Sequence, residues 1–483
     1  MAISVQQIDL NVLNMSTRMP FRYGIASLVA LPHLFLRAQV DVDGRTAVGH
    51  SSDGLPPKWF TKYAETSFGE DLEEMLAVIR QACALVEQMV PSDTVFDLWW
   101  ELYTRQKDWA AATDYPPLLW GFGVSLVERA VIDAFCRCEG MPFFRALREN
   151  TPGIRLGEIH GELAGSDPAD LLPAHPNRSV IARQTIGLTD PLTDGDIPEE
   201  ERLDDGLPQS LEASLRAYGL THLKIKLFGD AERDAERLKQ VADLMARHAS
   251  SGYAFTLDWN EQYTELAPFR ALWESMLADA SLASVMNGLL FVEQPLHRDV
   301  SLGPGVKSAM QGWPDRPPLI IDESDATFSS VLEALDCGYV GTSHKNCKGV
   351  FKGIANACLL EHRRRTDPGG RYILSSEDLA NVGPVALFQD LAVALSLGLD
   401  HVERNGHHYF AGLSMYPEDL RVEVLSHHGT LYRKHERGFP ALDIRSGRID
   451  TSSVVDAPFG YRFDLDTTRF TPLEDWTDDS LEI

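Results

Sequence analysis

The chain has 483 residues, 44 % of them hydrophobic and 24 % charged, which is enough to bury large cores and more than one minimal domain needs. Its 71 acidic and 44 basic residues leave a formal charge of −27, a field that repels nucleic acid and anionic membrane and excludes both as expected partners. An anionic small molecule would therefore need local positive charge at its site, from lysines and a metal ion.

Residues 3–48 alternate as strands over Ile3–Leu13, Leu34–Val42 and Arg45–Gly49, with Asp43-Gly44 as a turn and a loop expected across Arg18–Ala30. Helical periodicity follows over Leu72–Met89 and Val124–Leu147, the second broken at Gly140-Met141-Pro142. A meander followed by helices predicts an α+β domain, placed at residues 1–155. From about residue 178 short apolar runs alternate with amphipathic segments. The runs are Val180–Ile186, His222–Leu227, Ala254–Leu257, Leu289–Val292, Leu319–Ile321, Tyr339–Thr342, Tyr372–Leu374 and His401–Val402. Eight such strands predict an α/β fold, a (β/α)8 TIM-like barrel over residues 156–412. Asp299–Pro318, rich in Gly and Pro, predicts a shortened helix, and the acidic stretch Asp190–Pro208 a surface insertion after the first barrel strand. Residues 413–483 hold strand-like pieces and an acidic tail, expected to return to the N-terminal domain.

The six cysteines have neither a disulfide framework nor zinc spacing and read as free thiols. No basic and apolar leader opens the chain and no apolar run reaches membrane-spanning length, so a soluble, cytoplasmic protein is expected.

Polar residues stand at the C-terminal ends of the predicted strands: Lys224-Ile225-Lys226, Asp258-Trp259-Asn260, Glu293-Gln294-Pro295, Asp322-Glu323-Ser324, Lys345 and Ser375-Ser376-Glu377. The intervals are 32 (Lys226 to Asp258), 35 (to Glu293), 29 (to Asp322) and 23 (to Lys345), each about one βα unit. They recur at one height, on the face where barrels of this type carry their sites. Three carboxylates at consecutive strand ends repel one another unless a cation joins them, and oxygen-only ligands suit magnesium. In Lys224-x-Lys226 the two-residue period turns both amines into the barrel. A neighbouring ammonium and a dication would lower a lysine's pKa toward the range of a general base. Lys226 on strand two and Lys345 on strand six lie four strands apart in a ring of eight, so they would face each other across a bound molecule. His344 should point away from Lys345 and pack, and His407-His408 read as surface residues.

These motifs resemble the enolase superfamily, and within it the mandelate racemase/muconate lactonizing enzyme family. The matching pieces are Lys224-x-Lys226, Asp258-x-Asn260, Glu293-Gln294-Pro295, Asp322-Glu323-Ser324 and Lys345-x-x-Lys348-Gly349. The N-terminal half, notably Pro20-Phe21-Arg22-Tyr23-Gly24, is similar to that superfamily's capping domain, which the C-terminal segment would complete. The resemblance implies Mg2+ on Asp258, Glu293 and Asp322, a small-molecule carboxylate substrate, Lys226 and Lys345 as the acid/base pair with Lys224 beside them, and a homo-oligomer. Asn260, Arg22, Tyr23, Ser375 and Ser376 are the expected substrate contacts. The expected activity is removal of a proton alpha to the carboxylate through an enolate, ending in racemisation, epimerisation or cycloisomerisation. The alternatives are a dehydratase of hydroxy or sugar acids and a non-catalytic binding descendant. Glu403-Arg404-Asn405 departs from the Asp-x-Asp of dipeptide epimerases, and Ser375-Ser376-Glu377 lacks the histidine of a mandelate-racemase-like dyad.

Overall fold

A computed structural model of the chain describes residues 2–249 and 252–481. It opens with three antiparallel strands, β1 (Ile3–Tyr23), β2 (Ala26–Val42) and β3 (Arg45–Gly54). The loop expected at Arg18–Ala30 is instead the end of a long hairpin. Its register shifts between Ser16 and Phe21, around Pro20, which has no N–H to give to a ladder. Gly24, at φ 49°, makes the turn.

Helix Phe68–Glu87 starts in a capping box formed by Ser67 and Glu70. Helix Val95–Ala110, capped by Thr94, was not among the expected helices, although Phe96, Trp99, Trp100 and Tyr103 share one face of it. Helix Pro117–Glu139 is buried over most of its length and ends at Gly140 in the left-handed region, where the sequence predicted the break.

Eight parallel strands follow: β4 (Ser179–Ile186), β5 (His222–Lys226), β6 (Ala254–Asp258), β7 (Leu289–Glu293), β8 (Leu319–Ile321), β9 (Gly341–His344), β10 (Ile373–Ser376) and β11 (His401–Arg404). Neighbours in sequence pair in order and β11 returns to β4, the order of a (β/α)8 barrel. Among the described residues no ladder joins β10 to β11. Helix Pro304–Gln311 is the short helix expected in the Gly/Pro-rich repeat, and Asp190–Pro208 forms turns and 3-10 pieces without a strand. The stretch after residue 412 divides its attachments. Thr471–Pro472 pairs with β1, whereas Arg448–Asp450 pairs with the start of β4. Among the described residues no helix is long and apolar enough to cross a membrane.

One contact between the N-terminal region and the barrel is made by a buried carboxylate. Glu128, inside helix Pro117–Glu139, accepts the backbone N–H groups of Val350 (3.0 Å) and Phe351 (2.7 Å) at the start of helix Val350–Thr366. Burial pushes its carboxyl up to about 7, against 4.5 when unperturbed; the two N–H bonds offset this only in part. The folded chain therefore holds a proton here that the unfolded chain has released. This contribution to stability is complete below pH 4.5 and lost as pH climbs through 7. The stability of Glu128→Gln relative to the parent should accordingly rise by on the order of 1 kcal/mol or more across that window, in denaturant titrations at several pH values. A flat difference would show that Glu128 keeps an ordinary pKa.

Candidate active site

The barrel's ladders set the site's geometry. Lys226 is the register partner of Asp258, and Asp258 of Glu293, so three of the strand-end residues share one level. Asp322 follows the end of β8, and Lys345 the end of β9. All five are buried. Lys226 Nζ stands 2.5 Å from Asp258 Oδ2, and Lys345 Nζ 2.5 Å from Asp322 Oδ2. Lys348 Nζ adds a contact at 3.1 Å to Asp322, and Ser343 donates to the same carboxylate.

Lys224 occupies the centre. Its Nζ lies 2.8 Å from Glu293, 2.9 Å from Glu377, 3.2 Å from Asp258 and 3.3 Å from Glu403. Burial alone would lower its pKa, but these acids outweigh it and hold it well above the ordinary lysine value. Lys345 behaves alike: burial is outweighed, chiefly by Asp322, and its pKa is raised. The surrounding carboxylates alone thus shift Lys224 and Lys345 upward, whereas the lowered lysine pKa expected from the sequence counted on a dication beside them. Asp258 and Asp322 are pushed up by burial and pulled further down by their lysines, with a net downward shift. Glu293 goes the other way, raised well above the carboxylate range by burial and by Glu377, with Lys224 only partly offsetting them.

Lys224, Lys226, Lys345 and Asp322, but neither Asp258 nor Glu293, line a narrow cavity of about 40 Å3. Lys224, Lys226, Lys345, Asp322, Glu323, Asp378 and Glu403 supply its charged lining, and Phe21, Leu28, Pro56, Trp59 and Leu379 much of its apolar lining. A larger hollow between β1 and residues 464–474 contains none of the strand-end residues. Of the expected substrate contacts, Asn260 and Tyr23 line the cavity. Arg22 does not: strand alternation turns it outward, where it is exposed and donates to Thr189 (2.9 Å). Ser375 and Ser376 do not either. Both are buried beside Arg183, which donates to Ser375 Oγ (2.9 Å), to the Ser376 carbonyl (3.1 Å) and to Glu377 (2.5 Å). His344 packs against Asn346, as its strand position predicted. His408 is buried and His407 half-buried on Gln184, so the surface reading of that pair does not hold.

Several contributors were not singled out from the sequence. Arg183 could have been noticed as a lone cation within the apolar run of β4. Trp59, by contrast, ends the stretch His50–Trp59 that the family resemblance marks as part of the pocket's cap, and its ring centre lies 4.6 Å from Lys345 Nζ. Arg298 holds the backbone that carries it, donating to the carbonyls of Trp59 and Phe60 (both 3.0 Å) while pairing with Glu261 (2.7 Å). Lys62 reaches the same glutamate at 3.2 Å. Glu261 and Asn260 both have positive φ, 64° and 47°, a strained pair kept in place by these bonds. In Arg298→Ala the amides of residues 59–62 should exchange hydrogen about tenfold faster, the equivalent of one lost hydrogen bond. Unchanged exchange there would show that Arg298 does not hold the segment.

Among the described residues no three His, Cys, Asp or Glu side chains stand close enough together to hold a metal ion, since ammonium groups lie among the acids. The donor set nevertheless fits a hard divalent cation. It is oxygen-only and buried, and Glu293 Oε2, although 2.8 Å from Lys224 Nζ, accepts no hydrogen bond at a bonding angle.

An eight-stranded parallel barrel beneath an antiparallel N-terminal sheet is a fold shared by solved structures. A dipeptide epimerase from Enterococcus faecalis V583, complexed with Mg and L-Leu-L-Tyr, superposes with a TM-score of 0.57 at 14 % identity, covering 84 % of this chain and 92 % of its own. An enolase from Bradyrhizobium, complexed with magnesium and mandelic acid, gives 0.58 at 13 % identity over 97 % and 99 %. A mandelate racemase/muconate lactonizing protein from Herpetosiphon aurantiacus gives 0.57 at 15 % over 94 % and 97 %. At these identities the likeness establishes the fold: a (β/α)8 barrel with a capping domain, as in the mandelate racemase/muconate lactonizing enzyme-like members of the superfamily. No protein-family pattern and no curated protein's sequence matches the chain.

Proposed function

We propose that the protein is a Mg2+-dependent enzyme that removes the proton alpha to a substrate carboxylate, through an enolate, and so racemises, epimerises or cycloisomerises a small acid. The observation that carries this reading is the placement of two lysines. Lys226, at the end of β5, and Lys345, beyond the end of β9, both open onto one cavity, each 2.5 Å from a different acid of the trio. Strands two and six of eight lie across the barrel from each other, so the amines address opposite faces of a molecule held between them.

Asp258, Glu293 and Asp322 would hold the cation. Mg2+ there supplies positive charge beside the substrate carboxylate, which lowers the free energy of the enolate. The chain's own groups do the rest. One lysine takes the α-proton and the other delivers a proton to the opposite face. Lys348 and Ser343 orient Asp322, and Asn260 N–H does so for Asp258 at 2.7 Å. Trp59 closes the cavity beside Lys345, excluding water from that amine.

The test is incubation with a set of chiral carboxylic acids in D2O, with and without Mg2+. Metal-dependent deuterium uptake at the α-carbon with conserved mass supports the reading, and loss of water marks a dehydratase. If none of the acids exchanges while the protein binds Mg2+, proton transfer is not its activity.

A further inference from the structure

From the cavity's walls we infer that the substrate is a small acid with an apolar or aromatic body and one hydrogen-bond donor, the donor being received by Asn405. This rests on the reading of the cavity as the substrate site and goes on to name the class of acid it takes.

The cap side of the cavity is apolar. It consists of Phe21, Tyr23, Leu28, Pro56, Trp59 and, from the loop after β10, Leu379. Of its two polar side-chain groups, the Tyr23 hydroxyl is already committed, donating to the Pro57 carbonyl at 2.9 Å, which leaves the Trp59 indole N–H. A polyhydroxy body laid on this wall would leave hydroxyls without partners, which opposes binding strongly in a closed site.

The acids at the other end are already satisfied. Glu403 accepts from Thr185 Oγ1 (2.5 Å), Asp378 N–H (2.9 Å), Asn405 Nδ2 (3.1 Å) and Lys224 (3.3 Å). Asp378 accepts the N–H groups of Asn381 (2.8 Å) and Asn405 (2.9 Å). Asn405 is the exception. Its amide nitrogen is fixed on Glu403, which turns Oδ1 away, and that oxygen is buried without a partner among the described residues. Because Asn405 lines the cavity, a ligand hydroxyl or N–H can supply the missing donor.

Binding is measured by titration calorimetry on the whole protein in Mg2+, with two pairs of acids matched by a methyl for a hydroxyl, and gluconate. The pairs are 3-phenyllactate with 2-methyl-3-phenylpropionate, and 3-hydroxy-3-phenylpropionate with 3-phenylbutyrate. At least one hydroxy acid should bind about tenfold more tightly than its methyl partner, and gluconate at least about a hundredfold more weakly than that hydroxy acid. Asn405→Leu should erase the hydroxyl preference and leave the methyl partner's affinity unchanged. Equal affinities within both pairs overturn the role of Asn405 whether or not that variant folds. Gluconate binding as tightly as the phenyl acids, or no binding by any phenyl acid, overturns the substrate class. Deuterium exchange in the same samples reports separately on chemistry. Binding of the phenyl acids without exchange removes the proton-transfer reading and leaves this inference, whereas exchange of gluconate alone does the reverse.

Discussion

Replacing Lys226 by alanine is expected to lower metal-dependent α-proton exchange by about a hundredfold to ten-thousandfold, the range a positioned acid or base contributes. Lys345→Ala should do the same for the substrate's other hand. Each amine reaches only one face, so each variant should retain exchange on the enantiomer whose α-hydrogen faces the surviving lysine, while interconversion of the two fails in both. Folding should survive both changes. Asp258 keeps Lys224 at 3.2 Å when Lys226 is gone, and Asp322 keeps Lys348 at 3.1 Å when Lys345 is gone, so neither buried acid is left without a cation. The check is exchange at the α-carbon of each enantiomer, followed by NMR, beside a melting curve for each variant. Exchange within a few-fold of the parent in both variants would remove the lysines from the chemistry.

Glu293→Gln should uncouple metal binding from folding. A ligand at a hundred times its dissociation constant stabilises the folded state by about 2.7 kcal/mol, so Mg2+ should raise the parent's melting temperature and EDTA return it to the metal-free value. With Glu293 as amide, one of three anionic ligands is lost and most of that shift should vanish. Without metal the variant should be no less stable than the parent. Burial and Glu377 already push Glu293 toward its neutral form, which glutamine imitates. An undiminished Mg2+ shift in the variant would place the ion elsewhere.

The barrel was legible because its strands are buried on both faces and therefore read as short apolar runs, with polar residues confined to their ends. Spacing alone brought Lys226, Asp258 and Glu293 to one level. Other features depend on alternation or on distant parts of the chain. Tyr23 and Arg22 are neighbours on a strand and so face opposite ways, but a segment read as a loop carries no alternation with which to separate them. Ser375 and Ser376 lie beneath the pair of Arg183 and Glu377, whose members are 194 positions apart, and no local pattern reveals that cover. The hold of Arg298 on Trp59, across 239 positions, is of the same kind. Lys224 was rightly placed inside the barrel, yet its encirclement depends on Glu377 and Glu403 arriving from the last two strands of the ring.

The bond between Glu128 and the amides of Val350 and Phe351 bears on how such a protein can be recombined. The start of a barrel helix, five residues beyond Lys345, takes its carboxylate from a segment more than two hundred positions earlier. A chimera that grafts a relative's N-terminal part onto this barrel is thus portable only if the donor brings an acceptor to that place. Without one, two amides beside the turn that follows Lys345 lose their acceptor, and the defect would surface as poor folding of the barrel although every barrel residue is native.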